Sequence, residues 1–348
     1  MGVFIERFDP FLSSADADAM LRLCESFPGG YGNYPQSSPA QGIGAGLLQR
    51  HDAATYLFKT GGRSPEKMTF EQLVARGNTL RETYAYDRPV VAGIEPMLAN
   101  ESFVAAAKRL FGKPVVVPNI VYANIILPGQ ELGVHTDVPE FRGANRKHEP
   151  EWLLVVMHHS GLFDRWRMPI ATGVSWYGRC TGGGFYYYPE GPEGPEVSLD
   201  PEHNTAVLLD TDSVFHGVDS VGAPGAAVPE YPPGIRLRHR GGDDWAIEAD
   251  GRDVARYHWD DIRLSISWKA YCFADEQERR MVEEHTDDLG HEIILGMLAE
   301  DLRRRGRLAG ETPPDRQLAE MLMDEYVRFP LPPHMRPGVS PASAAELA

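Results

Sequence analysis

The chain of 348 residues has little cysteine: Cys24, Cys180 and Cys272, with no C-x-x-C pair among them. So sparse and odd a count excludes a disulfide framework and points to a reducing, cytoplasmic setting. Positive charge is also short, with 34 Lys and Arg against 50 Asp and Glu and a formal net charge of −16. That balance argues against nucleic acid or anionic membrane surfaces as main partners, though it is compatible with a local basic pocket. No apolar run is long enough to span a bilayer. The opening Met-Gly-Val-Phe-Ile-Glu lacks the n- and h-regions of a signal peptide, and Glu6 stands where a myristoylation motif needs Ser or Thr. No internal repeat is present. What remains is ordinary for a globular protein: 42% apolar and 24% charged residues. A single domain, 1–348, is expected.

Three zones divide it. Residues 1–114 read as mixed: a strand Val3 to Phe8, then a helix starting at Ser13-Ser14 with Leu21, Cys24 and Phe27 on one face. Pro28-Gly29-Gly30 ends that helix, 30–48 reads as a loop or lid, and Phe70–Leu80 and Glu101–Leu110 read as helices. Residues 115–273 are β-rich, with strands predicted at Ile120–Leu127, Trp152–His159, Val174–Tyr177 and Thr205–Leu209. Residues 274–330 return to helix, at His291–Arg305 and Pro314–Phe329, before a Pro- and Ala-rich tail.

Within the β zone, His135 and Asp137 are separated by one residue, so on a strand both project to one side. A later strand-borne histidine, His216, can complete a face of two imidazoles and one carboxylate, the ligand set that suits non-heme Fe(II) and oxygen chemistry. H-x-D alone is a weak pattern. It recurs at His258-Trp259-Asp260, followed by no convincing strand-borne histidine, and at His285-Thr286-Asp287, in a helix-like run where the two side chains diverge. Only the first follows an apolar strand and a Pro128-Gly129 turn and precedes further strands.

Taken in order, His135, Asp137, His216 and Arg263-Leu-Ser265 resemble the Fe(II)- and 2-oxoglutarate-dependent dioxygenases, prolyl-hydroxylase-like members with a double-stranded β-helix (jelly-roll) core. The strand Gly182-Gly-Gly-Phe-Tyr-Tyr-Tyr188 also resembles a segment of those members. The resemblance covers about residues 115–273 and implies a mainly β fold with flanking helices. It implies that His135, Asp137 and His216 hold Fe(II), and that Arg263 and Ser265 grip the far carboxylate of 2-oxoglutarate. A guanidinium fork beside a hydroxyl suits that task. Tyr122 and Asn124 match positions that contact the cosubstrate. The implied reaction with O2 is hydroxylation of an unactivated C–H bond of a small molecule, an amino acid or biosynthetic intermediate. A carboxylate at Asp137 favours hydroxylation, desaturation or ring formation over halogenation.

One departure from the family is the long stretch between His216 and Arg263. Residues 222–260 read as an insertion, with a hairpin predicted around Asp250-Gly251. It makes Arg236 and Arg238 alternative anchors, and its position predicts a hairpin near the barrel mouth, with Trp245 toward substrate. His158, expected on a strand, and the basic residues Arg142, Arg165 and Arg167 are further substrate candidates. Two other classes fit the pattern: a jelly-roll metalloenzyme that does not use 2-oxoglutarate, and a non-catalytic sensor of the metal or of 2-oxoglutarate.

Overall fold

The computed structural model describes residues 3–33, 60, 79–232, 234–332 and 335. The first strands in chain order are β1 (Ile5–Phe8), β2 (Tyr31–Asn33), β3 (Leu80–Ala85), β4 (Val115–Ile126), β5 (Leu132–His135), β6 (Glu140–Phe141) and β7 (Arg167–Met168). They are followed by β8 (Ile170–Tyr177), β9 (Phe185–Tyr187), β10 (Val197–Leu199), β11 (Thr205–Leu209) and β12 (His216–Val218). The last are β13 (Arg236–Gly241), β14 (Asp244–Ala249), β15 (Arg252–His258) and β16 (Arg263–Phe273).

Eight of them build the core. One sheet contains the run β11-β8-β16-β4, and a second sheet has the order β10-β9-β12-β5, all pairs antiparallel. The chain passes back and forth between the two sheets, so that strands distant in sequence lie side by side. That is the strand order of a jelly roll, a double-stranded β-helix.

Alternation along β16 shows how the layers are made. Leu264, Ile266, Trp268, Ala270 and Cys272 belong to one apolar cluster with the helices Ser14–Glu25 and Glu101–Phe111. Arg263, Ser265, Ser267 and Lys269 occupy the other face and are buried too. Trp268 anchors its side by donating from Nε1 to the Leu98 carbonyl (3.0 Å). Gly173 lets Phe103 approach the sheet: a Cβ there would meet the ring at 2.5 Å. The second sheet is covered outside by the helices Glu151–Ser160, His291–Arg304 and Asp315–Tyr326, packed on Tyr186, Tyr188 and Phe215.

Several expectations hold and some do not. Strands at Ile5–Phe8, 115–126, 170–177 and 205–209, and helices at Glu101–Phe111, His291–Arg304 and Asp315–Tyr326, lie where the sequence places them. Trp152–His159, read as a strand, is helix Glu151–Ser160. Its residues 152–157 are all buried, and a short apolar run buried all round carries no period that separates helix from strand. Tyr31–Asn33, read as loop, is strand β2, and Leu80 opens β3 rather than closing a helix. The rest of the 30–48 stretch, Phe70–Asn78 and most of the tail lie outside the described residues.

The insertion does form its hairpin, with Asp250 (φ 48°) and Gly251 (φ 73°) at the turn between β14 and β15. Its place differs from the expected barrel mouth. β13 pairs with β2, so the insertion extends the large sheet outward in the order β4-β3-β2-β13-β14-β15.

Candidate metal centre

His135 closes β5 and His216 opens β12, and the two residues are direct partners across these antiparallel strands. Cross-strand partners project to the same side, and the two rings stand 4.4 Å apart. Gly217 permits this. A Cβ there would sit 2.2 Å from Tyr186 Oη and 2.6 Å from the Leu132 carbonyl oxygen. Asp137 is fixed by its backbone N–H, which donates to the Thr211 carbonyl (2.8 Å).

Each imidazole is oriented by its own strand. Nδ1–H of His135 donates to the Gly133 carbonyl (2.7 Å), and Nδ1–H of His216 to the Val214 carbonyl (2.9 Å). A carbonyl can only accept, so both rings carry the proton on Nδ1 and present the Nε2 lone pair. Asp137 Oδ1 lies 3.6 Å from His135 Nε2 and 4.0 Å from His216 Nε2. The ligand atoms of the three residues fall within 4.8 Å of one another, a spacing one metal ion can bridge. Burial, with His135 nearby, pushes His216 down to about 3, so it is a neutral ligand at physiological pH. Burial alone would raise the Asp137 carboxyl, but Lys269 and the imidazoles bring it well below its ordinary range.

Lys269 belongs to no motif in the sequence. Its Nζ donates to Asp137 Oδ2 at 2.7 Å. The readable signal was its spacing, since Arg263, Ser265, Ser267 and Lys269 share one face of a strand. Asp212 likewise stands in no recognisable motif. It is fully buried, neither carboxylate oxygen has a hydrogen-bond partner among the described residues, and Arg167 Nη2 is 3.9 Å away. Burial pushes its carboxyl up to about 7, against the pull of Lys269.

Toward the start of β16 lies Arg263, only 2% exposed. Its Nε donates to the Gly183 carbonyl (2.6 Å), and Nη1 reaches Ser265 Oγ at 3.4 Å. Nη2 is buried with no hydrogen-bond partner among the described residues. Neither Asp260 nor Asp261 pairs with it, and burial pulls the guanidinium down to about 10. A buried guanidinium with a free N–H and no carboxylate fits an anionic ligand such as the far carboxylate of 2-oxoglutarate. Asn124 and Tyr122 stand directly opposite Ser265 and Ser267 across β4–β16. Trp176, opposite Ser265 on β8, carries a second buried N–H without a partner. The alternative anchors are committed elsewhere: Arg236 pairs with Glu82, and Arg238 lies 3.3 Å from Glu248.

The substrate candidates have partners of their own in the fold. Trp245 is fully buried between Tyr31 and Trp259 in the main core, because β14 runs through the sheet extension. His158 lies in the last turn of helix Glu151–Ser160, its Nε2 3.1 Å from Ser213 Oγ, so it does not face the barrel from a strand. Arg142 donates to Asp287 (2.9 Å) and to the Arg165 carbonyl (2.6 Å). Arg165 stacks on Trp166, and Arg167 is held by Asp210 (2.8 Å). These ion pairs and stacks tie each arginine to partners in its own chain. The third H-x-D motif is likewise committed, since Asp287 serves Arg142 and His285 Nδ1 lies 2.8 Å from Asp288.

No protein-family model matches the chain, and no curated protein does. Among solved structures, it is similar to a prolyl-4-hydroxylase from Pseudomonas putida, at 12% identity and a TM-score of 0.40, over 77% of this chain and 92% of that one. HygX from Streptomyces hygroscopicus, solved with nickel, 2-oxoglutarate and hygromycin B, is 8% identical with a TM-score of 0.36, over 78% and 84%. A 2OG-Fe(II) oxygenase family protein from Burkholderia pseudomallei is 15% identical with a TM-score of 0.31, over 56% of this chain and 66% of that one. At such scores these are resemblances only; strand order and site geometry carry the functional reading. Among the described residues, no helix is long and apolar enough to cross a membrane.

Proposed function

We propose that the chain is an Fe(II)- and 2-oxoglutarate-dependent oxygenase that hydroxylates an unactivated C–H bond of a small molecule. The observation that carries this reading is Arg263, a buried guanidinium with a free N–H and no acidic partner among the described residues. It stands on the strand whose Lys269 holds Asp137. An unpaired buried charge is costly, and a dianionic cosubstrate is what would offset it.

The chain's own residues have distinct tasks. His135 and His216 offer neutral Nε2 lone pairs, and Asp137 offers Oδ1. Arg263 and Ser265 receive the far carboxylate, with Asn124 and Tyr122 alongside. When bound, Fe(II) and 2-oxoglutarate together supply O2 activation, with succinate and CO2 as co-products. The two sheets and the helices outside them exclude water and hold the geometry. With a carboxylate at position 137, the reading favours hydroxylation.

Anaerobic titration of the protein with Fe(II) and then 2-oxoglutarate tests the reading. Expected is a visible absorption band that needs both and that Asp137→Ala abolishes, followed by succinate release from 2-oxoglutarate in air. A protein that binds Fe(II) without any 2-oxoglutarate-dependent band or succinate would overturn it.

A further inference from the structure

Asp137 has two oxygens, and the fold gives each a different neighbour. Oδ1 faces the imidazoles, 3.6 Å and 4.0 Å from their Nε2 atoms, while Oδ2 accepts from Lys269 Nζ at 2.7 Å. Both partners are held from the backbone. Lys269 lies in the middle of β16, paired with Ile120 of β4 on one side and Thr172 of β8 on the other. Asp137 is pinned through its own N–H to Thr211. Lys269 is only 9% exposed, so the contact is not a solvated surface pair.

Resting on the oxygenase reading, we infer that Lys269 is a positioning residue that makes Asp137 a one-oxygen ligand and so preserves the metal positions the reaction needs. The reason is a count of ligands. A metal of octahedral preference with two imidazoles and one carboxylate oxygen keeps three open positions. A carboxylate free to turn would chelate with both oxygens and leave two. A bidentate 2-oxo acid would fill those, and oxygen would have none. Occupying Oδ2 with an ammonium prevents that turn.

The arrangement has a cost that makes it testable. The ammonium sits within a few ångströms of where the cation binds, and like charges in a buried site repel. Lys269 therefore weakens metal binding while improving the geometry. A residue that merely supported the site would do the opposite on removal: metal affinity would fall.

The experiment uses the full chain and Mn(II), whose bound water is counted by proton relaxation. Wild type, Lys269→Met, Lys269→Gln and Lys269→Arg are compared, with the melting temperature of each metal-free protein as the control for folding. Expected for Lys269→Met is Mn(II) affinity several-fold tighter than wild type and relaxivity lower by about a third, as three bound waters become two. Lys269→Gln keeps a donor for Oδ2 and drops the charge, so it should bind Mn(II) more tightly at wild-type relaxivity. It also keeps the test decisive if the Met variant does not fold. Lys269→Arg should restore wild-type values of both. Relaxivity in a folded Lys269→Met protein equal to wild type overturns the inference. So does a loss of Mn(II) affinity of about tenfold or more in Lys269→Met or Lys269→Gln. Adding 2-oxoglutarate to the wild-type Mn(II) complex tests the oxygenase reading separately: that reading requires relaxivity to drop further, whatever the variants do.

Discussion

Arg263 is a costly residue for a barrel interior: buried, charged and lacking an acidic partner among the described residues. If its charge serves a cosubstrate, its removal should be felt in binding far more than in folding. Arg263→Met is expected to leave the melting temperature of the apo protein within a few degrees of wild type. Losing one member of a buried charge pair costs about 2–5 kcal/mol. The 2-oxoglutarate dissociation constant, read by calorimetry on the Mn(II) form, should accordingly rise about thirtyfold or more at unchanged Mn(II) affinity. Gly183→Ala approaches the same anchor from the other side. A Cβ there would fall 2.6 Å from Arg263 Cδ, at a backbone φ of +69° that disfavours any side chain. It should weaken 2-oxoglutarate and spare the metal; equal loss of both would mean that the loop, not the guanidinium, matters. His158 gives a pH dependence. Burial, reinforced by Arg167, pushes its imidazole down to about 2, so it is neutral in the folded protein. The unfolded chain takes up a proton near 6.5. Between these values the unfolded state binds more protons, so stability rises with pH up to about 6.5 and is lost as pH falls below it. His158→Gln should make the rise of the melting temperature between about pH 4 and pH 6.5 shallower, the remainder coming from groups such as His216. An unchanged slope would refute the assignment.

Among the elements, the β13–β15 insertion extends the large sheet and has no part at the metal. Leu237, Trp245 and Ile247 complete the core around Tyr31 and the helix Ser14–Glu25. Trp245→Ala should therefore cost about 3–5 kcal/mol in denaturant unfolding. Substrate and 2-oxoglutarate kinetics should be unchanged wherever the variant is folded. A stable variant with altered substrate KM would return the hairpin to the pocket. The same element shows what the sequence could and could not convey. Its Asp250-Gly251 turn and flanking strands were legible, because turn chemistry is local. Its position was not, because it depends on β2, a three-residue strand in a glycine-rich stretch that reads as loop. The metal triad was legible because His135 and Asp137 alternate on one strand and His216 opens another. Lys269 shares a readable face with Arg263, but its partner lies far off in the chain, and only the fold joins them. The buried helix Glu151–Ser160 reads as a strand because it has no polar face to show a helical period.

For the whole molecule, the net charge of −16 does nothing to attract a dianionic cosubstrate. Affinity has to come from the few groups that line the barrel, and from the metal. Two of these are buried donors without a partner among the described residues, Arg263 Nη2 and Trp176 Nε1, on strands β16 and β8 that pair with each other. Binding there should therefore be read by the whole fold as stability, since the strands that carry the donors lie inside the large sheet, between β11 and β4. A ligand specific for the native state adds about 2.7 kcal/mol at a hundred times its dissociation constant. The proposal further requires that this stabilisation be coupled. A 2-oxo acid gains two metal bonds only when the metal is present, so Mn(II) should raise the melting temperature on its own, and 2-oxoglutarate should add a second increment only on top of it. Glutarate, which keeps both carboxylates and lacks the 2-oxo group, should add far less. Linkage makes the effect reciprocal: Mn(II) should bind more tightly when 2-oxoglutarate is present, by the same factor. Differential scanning of the four combinations measures all of this in one series. A 2-oxoglutarate increment of equal size with and without Mn(II) would mean that the cosubstrate sits on Arg263 without reaching the metal, and the two halves of the site would then not belong to one reaction.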